Sequence, residues 1–332
     1  MGFFSRHWFL IVLILAMAVG FGVPEQLQFL LQFKWLTSIC VATTMFLMSW
    51  PLRFGELKST VRRPLPALWG STVNVVLFPL VAWPLSMTLG PELGPGLIVL
   101  AATPCTLASA SVWTRRAGGN DVVSMMVTMI TNGLCFIVTP FWIYQLTGNQ
   151  LPMELVWDIV AKLFLVVVLP LTAGQLMRVN AASAVWSTNN KSMLSVLAQL
   201  GLLVVVLLGS TQSGLKLHEE EQTWTAVQFG WMIIVVVFLH VAAWWVSFDV
   251  ANRLKFPRRD AIACAFSGSQ KTLMVGLVAA IDLKLSVIPL VIFHAIQLTI
   301  DTFLADWLKK SSKESPDGLE RRAAEPIPQA DL

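Results

Sequence analysis

Lys271 stands in a polar interruption, Phe266-Ser267-Gly268-Ser269-Gln270-Lys271-Thr272, between the apolar runs 261–266 and 273–281. A charge at membrane depth costs about 2.5–3.5 kcal/mol on insertion scales, so it faces a polar cavity or a partner and marks a solute or ion path. Gly, Ser and Thr beside it let a helix unwind and re-satisfy its freed backbone groups. A second polar run, Cys105-Thr106-Leu107-Ala108-Ser109-Ala110-Ser111, follows Pro95 and Pro104. Two such breaks meeting at mid-membrane offer helix N-termini to an anion and carbonyl oxygens to a cation. His294, Gln297 and Asp301 recur at i, i+3 and i+7, one face of a helix, which makes Asp301 a candidate charge partner for Lys271. Three roles for Lys271 stand open: a fixed cation that draws an anionic solute, a proton carrier, or a snorkelling or ion-paired structural lysine.

Catalysis finds no footing in these residues. There is no Gly-rich phosphate loop, no HExxH metal motif and no positioned nucleophile–base pair; Ser109 and Ser111 with His294 lack any oxyanion feature. Cys40, Cys105, Cys135 and Cys264 all sit in apolar segments without metal-ligand spacing, so they read as small buried hydrophobes. No cofactor is expected beyond possible sodium ions. The net charge of +4 is no nucleic-acid signal, because the basic residues fall in loops between apolar runs.

The elements that must position this chemistry are membrane helices. The chain is 56% hydrophobic and only 13% charged, with a mean hydropathy of +0.70; a soluble domain carries about 25% charged residues. Spans of roughly 20 apolar residues are expected at about 7–22, 34–51, 66–87, 94–114, 120–146, 154–177, 191–211, 225–250, 259–281 and 285–308. Met1–Gly22, with Arg6, an apolar core and Ala16-Met17-Ala18, reads as a first span rather than a removable leader. Trp8, Trp50, Trp83, Trp157, Trp231 and Trp307 lie near proposed helix ends, where indoles anchor at the interface. With the N-terminus cytoplasmic, 18 of the 23 basic residues fall inside, as the positive-inside rule requires. The fourth and ninth spans, the two broken ones, hold corresponding places in two five-span halves, 1–150 and 151–308. An odd number of spans per half turns the second half upside down, the arrangement of an inverted-repeat transporter. Residues 309–332, polar and charged, read as a disordered cytoplasmic tail.

Thr103-Pro104-Cys105-Thr106-Leu107-Ala108-Ser109-Ala110-Ser111-Val112, then Gly119-Asn120 and Ser124-Met125-Met126-Val127-Thr128, resemble the fourth and fifth helices of the bile acid:sodium symporter family. Met48–Arg53, Asn74…Pro79, the Phe266–Thr272 break and Phe293-His294-Ala295-Ile296 fit it as well, so the likeness runs over about 5–308. Within the family the chain is most similar to the SBF-like subgroup, which includes the divergent seventh member of the vertebrate bile-acid carriers. The resemblance implies an all-α membrane protein of ten helices, with a panel of spans 1, 2, 6 and 7 and a core of spans 3–5 and 8–10 in which the broken helices cross. It implies sodium ligands at Ser111, Ser124 and Thr128 for one site and at Asn74 and Gln270 for another, all neutral oxygens suited to a hard cation. Solute would meet Thr106, Ser109, Ser269, Lys271, Thr272 and His294.

One departure changes the expectation. The family's ninth-helix break carries a Glu shared by both sodium sites, and here that place falls on Phe266 or Ser267, with no carboxylate between Ala261 and Ile281. An anion is lost and a cation, Lys271, is gained. One unit charge at 4 Å is worth about 4 kcal/mol at an effective dielectric near 20, which argues against coupling to two sodium ions. The expected function is secondary transport of a small organic anion across a bacterial inner membrane or a plasma membrane. The alternatives are a proton-coupled or sodium-independent carrier, and a membrane regulator of ion homeostasis.

Overall fold

In the computed structural model, residues 3–52, 63–147, 152–219 and 225–313 are described, and all their regular structure is helical. The tail expected at 309–332 lies outside the described residues beyond Lys313. In chain order the helices are α1 (Phe3–Gly22), α2 (Lys34–Ser49), α3 (Leu65–Thr72), α4 (Phe78–Ser86), α5 (Gly90–Ala102), α6 (Ser109–Arg116), α7 (Asp121–Leu146), α8 (Met153–Leu163), α9 (Leu169–Met177), α10 (Ala181–Asn189), α11 (Lys191–Glu219), α12 (Ala226–Arg253), α13 (Arg258–Ser269), α14 (Leu273–Asp282) and α15 (Ile288–Lys313). A short helical turn at Pro24–Leu27 leads out of α1.

Among the described residues, seven helical stretches are long and apolar enough to cross a membrane, and the bent pair Ile11–Gly22 with Pro24–Gln32 passes together at 98°. The chain is an integral, polytopic membrane protein. Leu65–Ala102 counts as one stretch by length, yet α4 packs back against α5. Gly90 makes that reversal, at φ 75°, a left-handed value that glycine adopts without strain.

The helices form two packing groups. In one, α11 lies against α1 and α2, and α9 against α2. In the other, α13 is the hub, packed by α3, α6, α7 and α12, while α15 joins α5, α6 and α12. The apolar window of Arg258–Asp282 is 100% buried, against 28% for Ala226–Arg253, so the broken stretch is sheathed by its neighbours while α12 faces outward. Gly268 allows this fit: a Cβ there would sit 2.9 Å from Ser247 Oγ and 3.2 Å from Val73 Cβ. Outward-facing Ile14, Leu65, Trp157, Leu200 and Phe303 are exposed, the natural condition of a lipid-facing surface.

Two π-helical turns interrupt long stretches, Val73–Leu77 between α3 and α4 and Phe164–Val168 between α8 and α9. Each is followed by a proline, Pro79 or Pro170. Proline offers no N–H to the preceding turn, so carbonyls there seek other donors.

Candidate functional site

The site is made where two helix pairs break. α5 stops at Ala102, Thr103 turns to extended backbone (φ −73°, ψ 153°), and α6 starts at Ser109. Pro104 disfavours helical torsions for the residue before it, which fixes the exit. α13 stops at Ser269, Gln270 is extended (φ −78°, ψ 140°), and α14 starts at Leu273. The two breaks touch directly: Thr272 N–H donates to Pro104 O at 2.8 Å.

A helix C-terminus leaves carbonyls without donors, and at these two breaks buried side chains reach several of them. Around the first break, Ala102 O accepts from Thr139 Oγ1 (2.8 Å), Cys105 O from Asn132 Nδ2 (2.8 Å) and Thr106 O from Thr128 Oγ1 (3.1 Å). Around the second, Asn74 Nδ2 lies 3.2, 3.3 and 2.8 Å from the carbonyls of Ser267, Gly268 and Gln270.

Lys271 reaches three more carbonyls. Its Nζ donates to Asn74 O at 2.6 Å, Ala101 O at 2.7 Å and Thr103 O at 2.9 Å, and lies 4.6 Å from the centroid of the Phe78 ring. Three acceptors match the three hydrogens of an ammonium. Asn74 O is free because Phe78 N–H, in the π turn, bonds one residue further back, to Val73 O. The missing N–H of Pro79 frees Val75 O, which accepts from Trp142 Nε1 at 2.6 Å. The helix end of α5 and the aromatic face both favour positive charge. Lys271 is 1% exposed.

The pairing expected between Lys271 and Asp301 does not occur, because the lysine's three hydrogens are spent on carbonyls. Asp301, fully buried, instead shares a 2.9 Å hydrogen bond with His240 Nε2 through one oxygen and accepts from Gln270 Nε2 through the other. The ion-paired structural role for Lys271 falls with it. His240 went unnoticed in the sequence. It is a single histidine in the Val-rich α12, buried at 0% exposure, and its partner lies 61 residues away.

Gln270 ties the two breaks together. Its Oε1 lies 2.6 Å from Thr106 Oγ1 and 2.8 Å from Ser109 Oγ. Gln270, expected as a cation ligand, thus links the second break to the first. Gln297 backs Lys271, accepting its N–H at 2.9 Å and donating to its carbonyl at 3.0 Å, and also reaches His294 Nδ1 at 2.9 Å.

A cavity of about 250 Å³ opens between the two packing groups. Its walls include Thr106, Ser109, Thr272 and His294, four of the six expected solute residues. The other two lie elsewhere: Lys271 is in its carbonyl cluster, and the Ser269 hydroxyl donates to Ala265 O at 2.9 Å inside α13. Met45, Met48, Leu202 and Leu298 make the wall largely apolar, and among the described residues no Asp, Glu, Lys or Arg lines it. Leu107, Ala108 and Ser109 belong to it, as do Thr272, Leu273 and Met274, so the N-terminal turns of α6 and α14 both open onto it. Neither N-cap residue, Ala108 or Thr272, caps its helix with a side chain. Thr106 Oγ1 accepts the N–H of Ala110, inside the first turn of α6, at 3.1 Å.

The expected sodium ligands divide. Ser111 Oγ, Ser124 Oγ and Asn74 Oδ1 are buried and make no hydrogen bond. Thr128 Oγ1 is buried and bonded to Thr106 O.

Comparison with known proteins gives the chain its family. The SBF-like CPA transporter family matches residues 7–310. An uncharacterised sodium-dependent transporter of Bacillus subtilis, YocS, is 27% identical over 327 residues, 95% of each chain. The putative symporter YfeH of Escherichia coli is 27% identical over 262 residues, covering 74% of this chain and 76% of its own. Mouse sodium/bile acid cotransporter 7 is 24% identical over 326 residues, 92% of this chain and 93% of its own. With 304 consecutive residues inside the family's bounds, from 7 to 310, this chain belongs to the SBF-like CPA transporter family.

Proposed function

We propose that the protein is a secondary transporter of organic anions, working by alternating access as one packing group moves against the other around the crossed breaks. The observation that carries this is the cavity at the crossing, onto which two helix N-termini open, neither capped by its N-cap side chain, while no charged side chain among the described residues lines it. First-turn N–H groups and the positive ends of two helix dipoles bind a carboxylate, sulfonate or phosphate. The apolar body of the same solute fits against Met45, Met48, Leu202 and Leu298. On this reading the helices form ten crossings in two inverted halves, 1–150 and 151–308, with both termini and the 309–332 tail cytoplasmic, in a bacterial inner membrane or plasma membrane.

One sodium ion would travel with the anion, held by Ser111, Ser124 and Thr128. Two of these hydroxyls are buried without a partner, a costly state that a cation relieves. A sodium-independent or proton-coupled carrier is the second reading. It is favoured by Lys271, which brings a positive charge to the crossing without any free ion.

The test is uptake into proteoliposomes of a panel of radiolabelled organic anions, taurocholate first, with sodium or choline outside. Ala108→Asp places a carboxylate at the N-terminus of α6, where it competes with the solute's own. Uptake at least tenfold lower in that variant is the expected result. Equal uptake in the variant would remove the helix N-termini from the mechanism, and no uptake of any anion by the wild type would remove the transport reading.

A further inference from the structure

The oxygens around Lys271 Nζ are built by devices that have nothing to do with a lysine in particular. The π turn at Val73–Leu77 frees Asn74 O, the end of α5 frees Ala101 O, and the extended residue before Pro104 turns Thr103 O inward. Three neutral backbone oxygens from two segments converge at 2.6, 2.7 and 2.9 Å, and the Phe78 ring closes another side at 4.6 Å. Clusters of backbone carbonyls are the oxygen sets with which proteins hold monovalent cations in place of hydration water. Among the described residues no acid completes the cluster, since both oxygens of Asp301, fully buried nearby in the core, are engaged by His240 and Gln270. An occupant carrying a single positive charge therefore fits the site better than a divalent ion, which calls for carboxylates.

We propose that this cluster is a monovalent-cation site whose occupant, the Lys271 ammonium, is supplied by the chain itself. The lysine side chain does as a tethered ligand what a free ion would do by binding. It holds the turn before α4 against the end of α5, and it keeps the crossing closed in the absence of any salt. The effective concentration of a tethered ligand is fixed by its stem, so the site stays filled at every external cation concentration. The inference goes beyond the transport reading and does not require it: the site concerns how the two breaks are held together, whatever the cavity carries.

The experiment removes the tether and offers the ligand back. Lys271→Ala deletes the side chain from Cγ to Nζ, and n-propylammonium replaces the deleted atoms. Melting of the purified, detergent-solubilised variant is followed in increasing n-propylammonium chloride, with tetramethylammonium chloride as the control that has the charge but no N–H to donate. A ligand that binds only the folded state raises the melting temperature with its concentration. The expected result is a saturable rise of several degrees for Lys271→Ala in n-propylammonium, no rise in tetramethylammonium, and no response of the wild type to either. An equal response of wild type and variant, an equal response to both salts, or no response would overturn the proposal. Lys271→Met, which keeps the stem and lacks the charge, gives a second arm with ammonium chloride as the probe. If neither variant can be recovered folded even when expressed and purified with its amine, the cluster does not accept a free cation and the proposal fails.

Discussion

Two sets of buried oxygens lie in the same core and have opposite fates. The carbonyls of Asn74, Ala101 and Thr103 are saturated by one ammonium. The hydroxyls of Ser111 and Ser124 and the Asn74 Oδ1 are buried with no hydrogen bond at all. Burial alone does not explain the contrast, since Asn74 contributes an oxygen to each set. The difference is whether the chain carries its own positive group to the spot. Where it does, the crossing is held together by a covalently attached cation; where it does not, the oxygens remain chemically open. Membrane cores hold polar groups when they are satisfied or when they serve a ligand; the first set is the satisfied case, and the proposed sodium site makes the second set the other.

The comparison can be broken most forcefully at Lys271. Lys271→Met leaves three carbonyls without a donor, and each buried acceptor left unsatisfied costs about 1–3 kcal/mol. Urea or thermal unfolding in detergent should register that loss, and a variant as stable as the wild type would show that the ammonium does not hold the breaks together. Asp301→Asn is the next largest. It keeps the size and one acceptor but turns an amide N–H₂ toward Gln270 or His240, which should cost about 1–3 kcal/mol by the same measurement. Because Gln270 also clasps Thr106 and Ser109, this variant should loosen the cavity wall, read as faster labelling of an Ala108→Cys reporter by a membrane-impermeant maleimide. The smallest effect expected is that of Phe78→Leu, which removes the aromatic face under the ammonium and costs about 1 kcal/mol or somewhat more. It should be additive with Asp301→Asn and strongly non-additive with Lys271→Met, since only the latter shares its interaction.

Much of this was legible in the sequence, and the reasons differ from residue to residue. The breaks at 103–108 and 270–272 were marked by Pro104 and by the polar run around Lys271, because a membrane tolerates freed backbone groups and a lone charge only beside a polar cavity or a partner. Thr106, Ser109 and Thr272 reach one cavity because they lie in or beside the helix breaks that meet at the crossing, and His294 joins them from α15. The partners of Lys271 were hidden, because a carbonyl carries no residue-type signal; Pro79 and Pro104, which free or orient neighbouring carbonyls, were the available hint. The expected Lys271–Asp301 pair followed from opposite charge and from the helix face that Asp301 shares with His294 and Gln297, and the carbonyls took the lysine instead. His240 was silent for another reason: one polar residue in an apolar helix acquires meaning only when the fold brings Asp301 to it. Among the described residues, counting by length and apolarity yields seven stretches, with α4 and α5 taken together through the Gly90 turn and the bent pair and the shorter apolar helix outside the count.

The most direct test of the contrast is the melting temperature of the purified protein in sodium chloride against choline chloride, for the wild type and for a Ser111→Ala, Ser124→Ala double variant. The account predicts a sodium-dependent rise in the wild type that is absent in the double variant. In choline the double variant should melt at or above the wild-type temperature, because it has lost two unpaired buried hydroxyls and no hydrogen bond. A sodium-dependent rise that survives intact in the double variant would contradict the account, since the ion would then be held by oxygens other than the open set.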